Sequence, residues 1–261
     1  MGRPIKLLLL QTGEAVPRVV EHHGGFFPLF AAGLSDRTGV ELSLLDLTSR
    51  GADDALPALD DFDGAVMTGS PAMVGDDAPW MRFGARLIRR FLEEERPFLG
   101  VCFGHQLLGV AVGADVGPNP RGREMGTTAV ELEAPPDDPL LGALPRRFSA
   151  QVSHVDVIRA PTSDLAVVGR AGHDPCHVVR AGDAAWGVQF HPEFDVEVMR
   201  LYLEARRDAM DRDRGAGAAE ARLAGLAPSP EARSLLARFT AVCAARRDGV
   251  ALCDEEVRDA S

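Results

Sequence analysis

Over the first 113 residues, short apolar runs alternate with stretches of helical periodicity, an order that few folds accept. Ile5–Gln11 is apolar and extended, and Val40–Asp46 ("VELSLLD") alternates as a second strand. Gly64–Met67 is a short buried run leading into "TGSP", and Pro97–Val101 is the next. Between them, Pro79–Glu95 carries a helical period through Met81, Ala85, Ile88 and Leu92, with Pro79 suited to a first turn. A second helix reads from His105 to near Gly113. Strands without a polar face must be covered on both sides, so this order predicts a three-layer α/β fold with a mainly parallel central sheet.

The middle of the chain differs. Thr127–Leu132, Phe148–Ser153, Asp156–Arg159, Ala166–Gly169, His177–Arg180 and Ala185–Phe190 read as short strands separated by Pro, Gly and Asp. They predict an additional small antiparallel or mixed sheet at the edge of the parallel one. Helical text resumes at Val196–Met210, followed by a Gly/Ala/Pro-rich linker (Gly215–Pro230) and a last helix (Glu231–Arg247). Residues 1–247 are read as one domain, with helices over 196–247, and residues 248–261 as an acidic, frayed tail.

Composition narrows the function. The 261 residues carry a formal charge of −11, which repels phosphate backbones and anionic lipid, so neither nucleic acid nor membrane is expected as a partner. No run approaches the roughly 20 apolar residues of a membrane span. Cys102, Cys176, Cys243 and Cys253 form no CxxC pair, which fits a reducing, cytoplasmic setting.

"GVCFGHQLLG" (Gly100–Gly109) sets Cys102 at the corner between a strand and a helix. A tight turn there lifts a nucleophile out of the sheet, and the helix N-terminus that follows favours a thiolate. Gly100 and Gly104 allow backbone approach where a Cβ would clash. A buried core cysteine fits the same letters. In "VQFHPEF" (Val188–Phe194), His191 and Glu193 are two apart, so in extended chain both side chains leave one face. Pro192 stiffens that geometry. A carboxylate can then hold one imidazole nitrogen while the other faces a thiol. The order Cys, His, Glu departs from the nucleophile, acid, histidine order of α/β-hydrolases. "MTGSP" (Met67–Pro71) ends a strand with N–H groups pointing off the carboxyl edge of the sheet, and with the Phe103 N–H it could bind an oxyanion.

With "PRGREMG" and "SHVDVI", these motifs occur in the order of the class I (triad-type) glutamine amidotransferases, which the chain resembles from about Ile5 to Phe194. The resemblance is strongest to the free-standing branch related to the glutaminase domain of GMP synthase. It implies a flavodoxin-like arrangement, Cys102 as nucleophile, His191 as general base and acid, and Glu193 as its orienter. It also implies oxyanion N–H groups from Gly69 and Phe103, and L-glutamine held by Ser70, Gln106, Ser153 and Val155. The implied chemistry passes through a γ-glutamyl thioester and needs no cofactor or metal. The same triad would serve a γ-glutamyl hydrolase, and the scaffold could also support a non-catalytic binding protein.

Two departures concern the partner. "HHGGFFP" stands where family members often carry a Gly-Asp-Tyr-like stretch. No GxxxxGK loop appears, and the chain after Phe194 is too short for an ATP-using domain, so either a synthetase acting in trans collects the ammonia or the thioester serves another purpose. His22-His23 is read as an exposed turn. "HDPCH" (His173–His177) is read as a polar loop, since no second pair completes a four-ligand zinc site.

Overall fold

The computed structural model of the chain describes residues 3–35 and 39–250. In chain order the strands are β1 (Ile5–Gln11), β2 (Val40–Asp46), β3 (Gly64–Met67), β4 (Phe98–Val101), β5 (Asp115–Pro118) and β6 (Glu124–Leu132). They continue as β7 (Arg147–His154), β8 (Asp156–Ala160), β9 (Ala166–Ala171), β10 (Asp174–Ala181) and β11 (Ala185–Val188). The helices are α1 (Pro17–His23), α2 (Phe26–Leu34), α3 (Pro79–Glu93), α4 (Phe103–Ala111), α5 (Val196–Ala205), α6 (Arg207–Arg214), α7 (Ala218–Ala224) and α8 (Pro230–Asp248).

Nine strands form one sheet in the order β2-β1-β3-β4-β11-β10-β9-β6-β7. The first five are parallel, and the rest add on antiparallel at the β11 edge. The expected antiparallel strands thus largely extend the parallel sheet, and the small second sheet is the ribbon β5–β8. The parallel half has the flavodoxin-like order, whose ligand crevice lies at the carboxyl ends of the strands.

β1 shows why both faces are covered. Leu7 and Leu9 pack in one cluster with Phe30, Trp186, Leu236 and Phe239. Leu8 and Leu10 pack in another with Met81, Ile88, Phe103 and Leu107. Successive side chains of a strand leave opposite faces, so a run of four leucines fits only a central strand.

Several elements differ from the sequence reading. The helix expected over 196–210 breaks at Arg206, whose φ of −111° lies outside the helical range. The turn aims α6 so that Asp213 pairs with Arg123 at 2.8 Å. The linker 215–230 contains α7, because alanine favours helix strongly and only the glycines around it interrupt. His22 and His23 form the end of α1, closed by Gly24 at φ +76°, rather than a turn. "HDPCH" largely enters strand β10, with Asp174, Cys176 and His177 buried, rather than forming a polar loop. α4 starts at Phe103, two residues earlier than expected. Residues 251–261 of the expected tail lie outside the described residues.

The last helix is integral to the core. Leu236 of α8 is fully buried and lies so close to Gly33 of α2 that a Cβ there would meet its Cδ1 at 2.5 Å. Leu236→Ala is expected to cost about 3 kcal/mol by cavity formation, measured as a lower urea midpoint at constant m-value.

Candidate active site

Three neighbouring parallel strands deliver the site. β4 pairs with β11 in a register that matches Val101 to Val188, and β3 flanks β4 on its other side. Gly69, Cys102 and His191 all follow the carboxyl ends of these strands, so parallel pairing brings together residues distant in sequence. Among the described residues, a Cβ at Gly69 would lie 2.9 Å from His191 Cε1 and 3.6 Å from Cys102 Cβ, which measures their convergence.

Cys102 is the N-cap of α4 at φ +51° and ψ −98°, a conformation rare for a non-glycine residue. Such backbone strain costs about 1–3 kcal/mol and persists only where the surroundings impose it. Two glycines impose it here. A Cβ on Gly100 would sit 2.5 Å from the Gly104 carbonyl, and one on Gly104 would sit 2.6 Å from Met67 O. The Cys102 N–H donates to Val188 O at 2.8 Å, tying the corner to β11. The residue is 5% exposed, its sulfur faces the Ser153 carbonyl at 3.8 Å, and it lines a cavity of about 530 Å³.

His191 Nδ1 hydrogen-bonds Glu193 Oε1 at 2.7 Å. The ring stacks on Phe194 at 4.2 Å, and Phe194 packs on Tyr202 at 4.7 Å, so the imidazole is clamped on one face. Burial disfavours the imidazolium, but the Glu193 carboxylate and the Cys102 sulfur outweigh it and push the His191 pKa up to about 10. The resting state this favours is an imidazolium between sulfur and carboxylate. Glu193 Oε2 is buried without a partner.

The Thr68 carbonyl accepts from Gly104 N–H at 3.2 Å and from Thr12 Oγ1 at 3.1 Å. In a trans peptide the N–H lies opposite the carbonyl, so these bonds fix the direction of the Gly69 N–H. Neither the Gly69 nor the Phe103 N–H finds an acceptor among the described residues, and each belongs to a residue next in sequence to one that lines the cavity, Ser70 and Cys102. Thr12 was not legible as part of this device; it shows only as a polar residue ending an apolar strand.

The other expected residues also line the cavity, with part of their bonding capacity used internally. Ser70 Oγ donates to Thr12 O and accepts from Ala72 N. Gln106 Nε2 donates to Asp156 O and Gln189 Oε1. Val155 O accepts from Asn119 N, and Ser153 presents its carbonyl to the thiol. Glu14, Arg123, Asp156 and Arg206 complete the polar lining. The sequence reading gave these four no role: Arg123 and Asp156 lie within "PRGREMG" and "SHVDVI", and Glu14 and Arg206 carry no local pattern.

Comparison with known proteins places the chain in a family. Residues 30–206 match the family model described as glutamine amidotransferase class-I. The glutamine-hydrolyzing GMP synthase subunit from Halobacterium salinarum is 33% identical over 178 residues, covering 67% of this chain and 87% of that protein. A glutamine-hydrolyzing GMP synthase from Aeropyrum pernix is 32% identical over 176 residues. This chain spans only 32% of the length of the Aeropyrum relative and 23% of one from Thermomicrobium roseum. Among solved structures, a glutamine amidotransferase from Thermotoga maritima aligns with a TM-score of 0.66, covering 94% of this chain and 98% of that one at 19% identity. One from Methylobacillus flagellatus aligns at 0.67, covering 96% of each chain at 22% identity. At these identities the structural likeness establishes the fold.

Proposed function

This chain belongs to the class I glutamine amidotransferases, and from that premise we propose that it hydrolyses the side-chain amide of L-glutamine with Cys102, His191 and Glu193. The observation that carries this reading is the strained thiol of Cys102 beside the Glu193-bound imidazole in one cavity.

The Cys102 sulfur, its proton already held by the His191 imidazolium, attacks the amide carbon as a thiolate, forming a C–S bond. The carbonyl oxygen becomes an oxyanion facing the Gly69 and Phe103 N–H groups. His191 returns the proton to the amide nitrogen, the C–N bond breaks, and ammonia leaves a γ-glutamyl thioester. Water then gives a proton to His191 and attacks the thioester carbon. The C–S bond breaks, releasing the γ-carboxylic acid, which ionises to glutamate, and leaving the Cys102 thiolate beside the His191 imidazolium. Ser70, Gln106, Ser153 and Val155 surround the substrate in this reading. The single domain spans residues 1–247.

The relatives named as GMP synthases support delivery of ammonia to a synthetase acting in trans. The three free cysteines among the described residues are buried, which supports a reducing, cytoplasmic setting. No helix among the described residues is long and apolar enough to cross a membrane.

The test compares release of glutamate and ammonia from glutamine with hydrolysis of γ-glutamyl dipeptides by the purified protein. Faster turnover of glutamine supports the proposal, and faster turnover of the dipeptides replaces it with a γ-glutamyl peptidase.

A pH prediction follows from His191. Its raised pKa keeps the imidazolium at neutral pH, and that form is lost as pH rises through about 10. The associated stability is complete below the unfolded value of about 6.5 and is lost over the same rise. Glu193→Gln removes the attraction that raises the pKa. The alkaline limb of the His191 ring titration, followed by NMR of its ring protons, is therefore expected to fall by about one pH unit or more. An unmoved limb would show that Glu193 does not hold the imidazolium.

A further inference from the structure

Behind the cavity, side chains from three strands of the main sheet meet in the core. His154 ends β7, and Asp174 and His177 both come from β10. One potential ligand atom from each lies within 4.8 Å of the other two, and all three residues are buried. His177 Nδ1 is 3.2 Å from Asp174 Oδ2. Two ligands at about 2.0 Å from a tetrahedral ion are separated by roughly that distance. Glu124 of β6 is also buried, with Oε2 3.2 Å from His154 Nε2.

The charge balance of this cluster rests on its imidazoles. Asp174 and Glu124 are buried carboxylates whose charged partners among the described residues are His177 and His154, each cationic only when protonated. Buried charge requires a counter-charge close by. A single divalent cation among these groups supplies positive charge with both imidazoles neutral. The donor set of two imidazoles and a carboxylate suits a borderline first-row transition ion better than calcium or magnesium, which prefer all-oxygen sites.

We propose that His154, Asp174 and His177 form a binding site for a divalent transition-metal ion of the zinc class, with the Glu124 carboxylate supporting His154 from outside. The site lies next to the substrate cavity, because His154 follows Ser153 directly and itself lines that cavity. It would lock the ends of β7 and β10 together and fix the strand end that carries the Ser153 carbonyl. The thiol chemistry proceeds without a step at this ion.

The full chain, stripped with a chelator, reloaded with zinc sulfate and desalted, is expected to retain about one zinc per chain by elemental analysis. Loading with cobalt should give visible d–d absorption, and the melting temperature should rise by several degrees over the stripped protein. Cys102→Ala is expected to keep the full equivalent, which separates this site from the reactive thiol. His177→Gln and Asp174→Asn should each abolish retention, and Glu124→Gln should weaken it about 10–100-fold. The stoichiometry of the unsubstituted chain and of Cys102→Ala decides the matter even if the cluster variants misfold. Retention below a tenth of an equivalent, loss of the ion with Cys102→Ala, or full retention by folded His177→Gln would overturn the proposal.

Discussion

Cys102→Ala is expected to lower glutamine hydrolysis by about 10⁴-fold or more, while leaving the protein folded. The thiol supplies the only bond to substrate in the proposed reaction, so its removal leaves only binding and the two free N–H donors. A loss of that size corresponds to about 5–6 kcal/mol of barrier. Stability should change little, because alanine at φ +51° carries the same backbone strain. Steady-state assays and a thermal melt measure the two quantities. An electrophilic glutamine analogue should label the unsubstituted chain at Cys102 and leave the buried Cys243 untouched. Residual activity above a hundredth of the original would remove Cys102 from the role of nucleophile.

Gly100→Ala is expected to be the most damaging substitution to the fold near the site. The added Cβ would lie 2.5 Å from both C and O of Gly104 and 2.8 Å from His105 N. These are backbone atoms of the first turn of α4, so no side-chain rotation relieves the clash. The helix start must move, and the Phe103 N–H moves with it. Overpacking of this kind costs about 3 kcal/mol or more. Chemical denaturation should show a large fall in midpoint, or the protein should fail to accumulate in soluble form. Gly75→Ala provides the control: nothing lies within 4 Å of a Cβ there, and a change within about 0.5 kcal/mol is expected. If Gly100→Ala melts like the control, the close approach of β4 and α4 is not what holds the Cys102 corner.

The legible parts of this molecule are those whose physics is local. Continuous apolar strands such as Leu7–Leu10 declare burial on both faces, and the period of α3 declares an amphipathic helix. The corner at Cys102 is readable because glycines two residues to either side have no other economical explanation. What escaped depends on partners elsewhere in the chain. β5 is a four-residue strand defined by its pairing with β8. α2 carries Pro28 in its first turn and Gly33 under Leu236, so it looks interrupted until α8 is in place. Asp174 and His177 read together as a polar loop short of further ligands, because β7 brings His154 beside them only in space.

The three groups of the site hang from strand ends whose sequence positions run from 69 to 191, and their spacing has a consequence during biosynthesis. A ribosome releases the cysteine long before it releases the histidine that would accept its proton. Until β11 docks beside β4, the growing polypeptide carries an ordinary thiol with no imidazole beside it to take its proton. Enhanced reactivity at this one sulfur therefore reports that β11 has joined β4.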